Sequence, residues 1–141
     1  DMDDEIVKHT GHSISSIFEN DGEQGFRIIE RELLKVLIED SKSNQLISTG
    51  GGAPCFFDNM SLIKSSGQSV YLKVSPKELA KRLSQKGLSD RPLLSNSSDI
   101  EKSILQKLEV RSEFYEQADI ILEGDQLQLT DLQNVINYGV R

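Results

Sequence analysis

Apolar residues recur at helical spacing through the first third of the chain, with charged residues on the opposite side. Ser13 can cap a short helix that carries the first of them. A longer helix is predicted over about residues 21–40. The predicted apolar face consists of Ile14, Ile17, Phe18, Phe26, Ile29, Leu33 and Leu37. The segment "DMDDEIVKHTGHSISSIF" at 1–18 is turn-rich, acidic at its start and then weakly helical.

Three short apolar runs predict strands, and helical patterns separate them. The strands are "NQLIST" at 44–49, "SVYLKV" at 69–74 and "ADIILE" at 118–123. The intervening helices are predicted over 58–67, over 75–87 with Ser75 as cap and Pro76 at its first position, and over about 100–117. A last helix covers 127–140, and the polar run "LSDRPLLSNSSD" is a loop. Strands alternating with helices predict an α/β fold around a parallel sheet, although three strands make a thin one.

Composition restricts the partners of this one-domain chain of 141 residues. A net charge of -7 argues against binding to nucleic acid or to an anionic membrane surface, whereas local arginines can still hold a small anion. The one cysteine, Cys55, excludes an internal disulfide and suits a reducing, cytoplasmic compartment. His9 and His12 have the spacing of a helical metal pair, but without further Cys or His ligands nearby, surface histidines are the favoured interpretation.

The segment "LISTGGGAP" ends an apolar run with Gly50, Gly51 and Gly52. Ligands of parallel α/β sheets bind beyond the carboxyl ends of strands, where glycines let backbone N–H groups face a ligand without a Cβ between them. A flexible turn before Pro54 explains the same residues. The glycine triplet alone does not decide between a ligand site and a flexible turn.

Several charged residues carry candidate chemistry, each with a plain structural alternative. Asp1 and Asp3 can hold a metal-bound water, accept from hydroxyl groups or act as a base, or they can simply be solvated. Arg27 and Glu30 are helical neighbours, either as an exposed pair or as a guanidinium oriented to grip a carboxylate. Arg111 permits the same two readings.

Two further arginines lie in the second half of the chain. Arg91, within "DRPLL", sits in a polar loop where a long cation could close over a phosphate. Arg82 can be part of a solvated helix face.

Taken together, these segments resemble the shikimate kinase family. The ordered matches are "DMDDEIVKHTG" to the D-x-D opening, "SIFENDGEQGFRIIE" to F-x-x-x-G-E-x-x-F-R-x-x-E, "ISTGGGAP" to the strand and GGG segment, "DRPLL" to the R-P-L-L lid, and "EVRSEFYEQAD" to the R-x-x-x-Y block that is followed by A-D. Each is weak by itself, whereas five in family order over nearly the whole chain are specific.

The resemblance implies a three-layer P-loop kinase fold, with a parallel sheet flanked by helices. It also implies phosphorylation of the shikimate 3-hydroxyl by ATP and Mg²⁺ in aromatic amino acid biosynthesis, by a cytoplasmic monomer. Residues 12–45 would contain the substrate-binding helices and residues 87–99 the lid.

The resemblance also assigns roles to single residues. Asp3 would bind the shikimate hydroxyls and act as base, and Asp1 would lie by the magnesium ion through water. The shikimate carboxylate and ring would be held by Arg27, Glu30, Gly50, Gly51, Gly52 and Arg111. Arg91 would close over the phosphates as a catalytic and nucleotide-binding residue, and Arg82 would face the nucleotide.

The sequence departs from the family in one large respect, because it contains no G-x-x-x-x-G-K-[ST] loop. We expect about 30 residues, comprising the first strand, the P-loop and the first helix, to be missing before Asp1, and we predict that these 141 residues alone do not turn over ATP. Two alternatives stay open: a non-catalytic fragment or relative that only binds a carboxylated ring, and a related kinase of small molecules such as gluconate kinase.

Overall fold

The computed structural model describes residues 1–40, 45–86 and 99–139. Within these ranges the helices are α1 (Met2–Thr10), α2 (Ile14–Glu39), α3 (Asn59–Ser66), α4 (Pro76–Lys86), α5 (Ile100–Tyr115) and α6 (Leu129–Gly139). The strands are β1 (Val70–Lys73) and β2 (Ile120–Glu123), and a 3-10 turn covers Ala53–Cys55. None of these helices is both long and apolar enough to cross a lipid bilayer.

The apolar face predicted for the first third of the chain packs as a core between α1 and α2. Ile17, Phe26 and Leu33 are buried around Ile6 of α1, and the remaining residues of the predicted face, Ile14, Phe18, Ile29 and Leu37, pack against them. The Phe18 and Phe26 rings lie 4.6 Å apart, within the range of favourable aromatic pairs. The helical periodicity therefore identified this core.

Helix α1 lies in the acidic, turn-rich start of the chain, for which no helix is predicted, and capping at both of its ends stabilises it. The side chain of Asp1 accepts a hydrogen bond of 2.9 Å from the Asp3 N–H. Gly11 ends the helix in the left-handed region, at φ 72°, and its N–H donates to the Val7 carbonyl. Only Met2 and Ile6 turn inward, so two apolar residues give too short a pattern for a periodicity signal.

Helix α2 contains a break at Gly22, which matches the two helices predicted for this segment. Gly22 has φ 69° and ψ -175°, a conformation that residues with a Cβ adopt only under strain. The helix resumes at Glu23 and continues to Glu39. Because Glu23, Arg27 and Glu30 follow at helical spacing, they share one face of the second part.

The sheet in the described ranges consists of β1 and β2, which run parallel with Val70 opposite Ile120 and Lys73 opposite Glu123. A serine and an aspartate close each end of the pair. Ser69 donates to Asp119 through both its N–H (2.9 Å) and its hydroxyl (2.6 Å). Ser75 does the same to Asp125 at the opposite end, and its hydroxyl also caps α4 as predicted. These hydrogen bonds fix the register of a very short ladder.

The prediction of a strand at 44–49 is wrong for the residues that the structure describes. Residues 45–50 form neither helix nor strand. A strand is defined by its hydrogen-bonded partner, and the backbone contact made here is one bond of 3.0 Å from the Met2 N–H to the Ser48 carbonyl. That bond brings the start of α1 next to the glycine segment.

Candidate functional site

The glycine segment forms a tight turn rather than a linker. The Ala53 N–H donates to the Gly50 carbonyl (3.0 Å) and the Cys55 N–H to the Gly52 carbonyl (2.9 Å). Gly52 has ordinary right-handed backbone angles, φ -85° and ψ -31°. The turn therefore does not need glycine at residue 52 for its backbone conformation. The side chains that surround each glycine show instead what a Cβ at that position would contact.

Gly52 lies directly against the guanidinium group of Arg27. A Cβ at residue 52 would be 2.4 Å from one terminal nitrogen of Arg27, 2.5 Å from the other and 2.6 Å from the carbon between them. The guanidinium is held by Glu30 at 2.7 Å and by Glu23 at 3.2 Å. Glycine at residue 52 thus permits an arginine to lie flat against the backbone.

Arg27 is a buried cation with unusually extensive contacts. Its side chain is 6% exposed, and its guanidinium carbon lies 4.4 Å from the Phe56 ring centre and 5.1 Å from that of Phe26. Its Nε has no hydrogen-bond partner among the described residues. A buried donor without an acceptor is costly, so this arginine has capacity for one more oxygen ligand.

Gly51 faces the end of α5. A Cβ there would be 3.2 Å from the Tyr115 hydroxyl and 3.9 Å from a terminal nitrogen of Arg111. The Tyr115 hydroxyl donates a short hydrogen bond to the Gly51 carbonyl, and its ring packs on Tyr71 with centres 5.1 Å apart. Burial raises the pKa of Tyr115 to about 12, so the donating form persists over the physiological range.

Gly50 faces two carboxylates. A Cβ at residue 50 would be 3.5 Å from a Glu30 oxygen and 3.9 Å from an Asp3 oxygen. Burial raises the pKa of Glu30, which is 1% exposed, and the charge of nearby Asp3 acts in the same direction, while Arg27 opposes both. Asp3 itself is exposed, in the first turn of α1.

The structure brings most of the predicted site residues together. The residues that converge on the glycine turn are Asp3, Arg27, Glu30, Gly50, Gly51, Gly52 and Arg111. Asp1 contributes the cap of α1. Arg82 lies elsewhere, donating to the Asp125 carbonyl (2.6 Å) and to Glu78 (3.0 Å). Arg91 and nearly all of the predicted lid are outside the described residues.

Several residues of this site received no role from the sequence. Glu23 and Phe56 hold Arg27, and Tyr115 anchors Gly51. Cys55 has its thiol 3.7 Å from the Gly51 carbonyl, and burial raises the pKa of that thiol. The available signals were helical spacing, which places Glu23 four residues before Arg27, and the tyrosine of the R-x-x-x-Y match.

Lys107 adds a further positive charge near the site, one helical turn before Arg111 on α5. Burial lowers the pKa of Lys107, the charges of Arg111 and Arg27 lower it further, and Glu23 acts in the opposite direction. The charges that act on it thus come from both α5 and α2. The site is electropositive on its α5 side and acidic at Asp3 and Glu30.

A second concave region lies at the carboxyl ends of both strands. It is an open cavity of about 540 Å³, and its lining includes Lys73, Ser75, Gly124, Asp125 and Ser112. Parallel α/β sheets bind ligands at this edge. Arg82 reaches its rim through the Asp125 carbonyl.

The described residues contain no group of three or more His, Cys, Asp or Glu side chains arranged to hold a metal ion. A magnesium ion in a phosphoryl-transfer site keeps several waters and uses one or two carboxylates together with substrate phosphates. Asp1 at the start of α1 fits that limited role, since its carboxylate, which accepts one hydrogen bond from the Asp3 N–H, can still accept from a metal-bound water.

Comparisons with known proteins find relatives over nearly the whole chain. The family model described as SKI, shikimate kinase, matches residues 1–138. A shikimate kinase of Parabacteroides distasonis is 42% identical over 140 residues, covering 97% of this chain and 79% of that protein. One of Bacteroides thetaiotaomicron is 40% identical over 130 residues, covering 91% of this chain and 73% of that protein.

Solved structures give the same result. The crystal structure of a shikimate kinase from Bacteroides thetaiotaomicron has a TM-score of 0.83 at 36% identity, and covers 96% of this chain and 81% of that one. The structure of a shikimate kinase from Acinetobacter baumannii in complex with shikimate has a TM-score of 0.86 at 29% identity, with 99% of this chain and 79% of that one covered.

Proposed function

Because the chain belongs to the shikimate kinase family, we propose that its glycine turn is the acceptor site, with Arg27 and Arg111 holding the shikimate carboxylate. The enzyme transfers the γ-phosphoryl group of ATP to the 3-hydroxyl of shikimate, and its α/β fold is that of the P-loop kinases. The family assignment sets aside the gluconate kinase alternative, whereas the alternative of a non-catalytic fragment is not tested by it. The prediction about turnover by these 141 residues alone stays a prediction.

One observation supports the assignment of the site: the three successive glycines lead from two carboxylates at one end of the turn to two arginines at the other. Gly50 faces Glu30 and Asp3, Gly51 faces Arg111, and Gly52 faces Arg27. The proposed position of the substrate ring is along this edge, between its acidic end and its cationic end. Shikimate has that polarity, with a carboxylate at one end of the ring and hydroxyl groups at the other.

Arg27 suits the carboxylate because its orientation is fixed before the substrate arrives. Glu30 and Glu23 bind its two terminal nitrogens, and Phe56 covers one face of the guanidinium. A preorganised planar fork loses little entropy when it binds a carboxylate. The unpartnered Nε is a candidate donor to the same ligand.

Asp3 is proposed to bind the shikimate hydroxyls and to accept the proton of the attacking one. It lies by Gly50, at the acidic end of the turn, and it is exposed to an incoming ligand. Glu30, although near, is engaged by Arg27 and buried, so it orients the arginine rather than serving as base. A candidate base has to reach the proton that it accepts, and Asp3 is the carboxylate with that access.

The nucleotide is proposed to bind at the carboxyl edge of the strands, with Arg82 beside it. The cavity at Ser75 and Gly124 and the contact from Arg82 to the Asp125 carbonyl support this location. Asp1 would contact the magnesium ion through water, and that ion would neutralise charge on the transferring phosphoryl group. Arg91, within the lid proposed for residues 87–99, would complete the charge neutralisation.

The remaining assignments concern the setting of the enzyme. We propose that residues 12–45 contain the substrate-binding helices of a single domain and that the enzyme is a cytoplasmic monomer. The packing of α1 on α2 and the position of Arg27 on α2 support the first part. One cysteine and a net charge of -7 are compatible with the second.

Calorimetry with shikimate tests the carboxylate assignment. We expect Arg27→Ala and Arg111→Met each to weaken shikimate binding about 100-fold, since truncating one partner of a buried charge pair costs ~2–5 kcal/mol. Lys8→Ala is the matched control, because it removes an exposed cation whose partner is Glu5 on α1. Wild-type affinity in both arginine variants would refute the assignment.

A further inference from the structure

Asn59 is a fully buried polar residue at the start of α3 that lies outside the proposed substrate contacts. It is 0% exposed. Its side-chain oxygen accepts from Arg31 (3.1 Å), and its amide nitrogen donates to the Ala53 carbonyl (2.8 Å). Both ends of a buried amide require partners, and a guanidinium on one side with a carbonyl on the other permits only one orientation.

Arg31 connects this amide to helix α2. It follows Arg27 by four residues, so the two arginines lie one above the other on the same helical face. Arg31 also forms an ion pair with Asp58, and its guanidinium carbon lies 5.1 Å from the centre of the Phe57 ring. Arg27 is placed in the same way, 4.4 Å from the centre of the Phe56 ring. Two consecutive phenylalanines therefore pack on two successive arginines.

The backbone at this point is strained, which indicates that these contacts determine it. Phe57 has φ 55°, and a bulky residue in the left-handed region is a true outlier that persists only where its surroundings fix it. Phe57 is also 57% exposed, so burial of its ring does not explain the conformation. The contacts that flank it are those of Arg31 with Phe57, Asp58 and Asn59.

The Asn59 contact reaches the glycine turn through Ala53. Ala53 is 0% exposed and directly follows Gly52, which lies against Arg27. Its N–H closes the turn on the Gly50 carbonyl while its carbonyl is held by Asn59. Displacement of the Ala53 carbonyl would therefore shift the backbone from Gly50 to Gly52 relative to Arg27.

We infer that Arg31 and Asn59 are positioning residues for the acceptor site, which hold the glycine turn at the distance from Arg27 that carboxylate recognition requires. This inference rests on the proposed function of the turn. Neither residue needs to touch the substrate, since Arg31 acts through Asn59 and Asn59 acts through Ala53. The predicted consequence of losing either residue is that Arg27 is still present to bind the carboxylate but is misaligned with the glycine turn.

Discrimination between shikimate and its methyl ester measures this alignment. The ester keeps the ring and the hydroxyls and loses the charge. The Kd of the ester divided by the Kd of shikimate therefore reports carboxylate recognition alone. We expect Arg31→Met to reduce this ratio about tenfold, because misplacement by ~1 Å can cost up to 100-fold in a positioned site. Lys35→Met, which breaks an exposed ion pair with Glu32 one turn further along α2, should leave the ratio unchanged.

Two further variants keep the test decisive. Arg31→Lys retains a cationic donor for Asp58 and Asn59 but not the planar group that lies over Phe57, so it should restore part of the wild-type ratio. Asn59→Asp replaces the donor to the Ala53 carbonyl by an oxygen and should reduce the ratio like Arg31→Met. If shikimate and its ester lose affinity by the same factor, or neither loses any, Arg31 has only a structural role and the inference is overturned.

The proposed function fails in a different way. If the wild-type enzyme binds shikimate and its methyl ester equally, or Arg27→Ala leaves their ratio unchanged, the carboxylate assignment itself is wrong. If Arg27→Ala abolishes discrimination while Arg31→Met and Asn59→Asp keep the wild-type ratio, the proposed function stands and the positioning inference alone is refuted.

Discussion

Replacing Gly52 by alanine is a sharp test of the contact between the glycine turn and Arg27. The backbone at residue 52 is right-handed, at φ -85°, so alanine fits its conformation. Where no clash occurs, a substitution of this kind stabilises a protein by about 0.4–1 kcal/mol, because the unfolded chain loses freedom. Any destabilisation by Gly52→Ala is therefore due to the space around the new methyl group.

The size of the effect follows from the distances. The new Cβ would be 2.4 Å from a nitrogen of Arg27, whereas ordinary contacts begin at 3.4 Å, so the guanidinium has to move by about 1 Å. A shift of that size loses the 2.7 Å hydrogen bond to Glu30. Leaving a buried charged group short of a partner costs about 1–3 kcal/mol, which corresponds to a fall in Tm of several degrees. We expect shikimate affinity to fall about 100-fold as well.

A thermal melt and a shikimate titration measure both effects, and the neighbouring glycines supply the controls. Gly50→Ala meets its nearest atom, an oxygen of Glu30, at 3.5 Å, and Gly51→Ala meets the Tyr115 hydroxyl at 3.2 Å. The loss of Tm should therefore increase from Gly50 to Gly51 to Gly52. In an Arg27→Ala background, Gly52→Ala should become neutral or stabilising. A Gly52→Ala protein with wild-type Tm and affinity would refute the proposed contact.

Three further predictions concern stability and titration. Gly22→Ala should destabilise the chain by about 1–2 kcal/mol in urea unfolding, because φ 69° strains any L-residue even where nothing lies within 4 Å. Hydrogen bonds from Ser69 hold the pKa of Asp119 below its usual range, so the Tm difference between wild type and Ser69→Ala should be largest at neutral pH and shrink as the pH falls below about 4. Tyr115 has its pKa raised to about 12 by burial, so folding stability should fall as the pH rises from about 10 to 12, and Tyr115→Phe should lessen that loss.

The parts of the fold that could be predicted from the sequence are those encoded by nearby residues. The apolar face of α2 repeats at helical spacing, and every predicted member of it packs in the core. Ser13 and Ser75 cap the helices that follow them, as their positions indicate. In each case the signal comes from residues within one or two turns of the same helix, so the local pattern indicates which side of the helix faces the core or where the helix begins.

The wrong and the incomplete predictions involve partners that are distant in the chain. Residues 45–49 are apolar enough for a strand, but strand formation depends on a neighbouring strand, which local composition does not report. The Ser69–Asp119 pair joins residues 50 apart, and the Arg31–Asn59 pair joins residues 28 apart. Neither serine nor asparagine carries a periodic signal that would identify such a partner.

The glycine turn combines a local sequence signal with contacts between residues that are distant in the chain. The sequence marks residues 50–52 as unusual and Arg27, Glu30 and Arg111 as candidates, but it does not indicate which glycine faces which charge. That order is set by three elements: α2 and α1 place Glu30 and Asp3 at Gly50, α5 approaches Gly51, and α2 places Arg27 at Gly52. A methyl group at Gly52 should therefore disturb Arg27 directly, one at Gly51 should disturb the Tyr115 and Arg111 contacts, and one at Gly50 should disturb least. An alanine series along the turn would separate the contributions of the two arginines proposed to hold the carboxylate, which a deletion of the whole turn would merge.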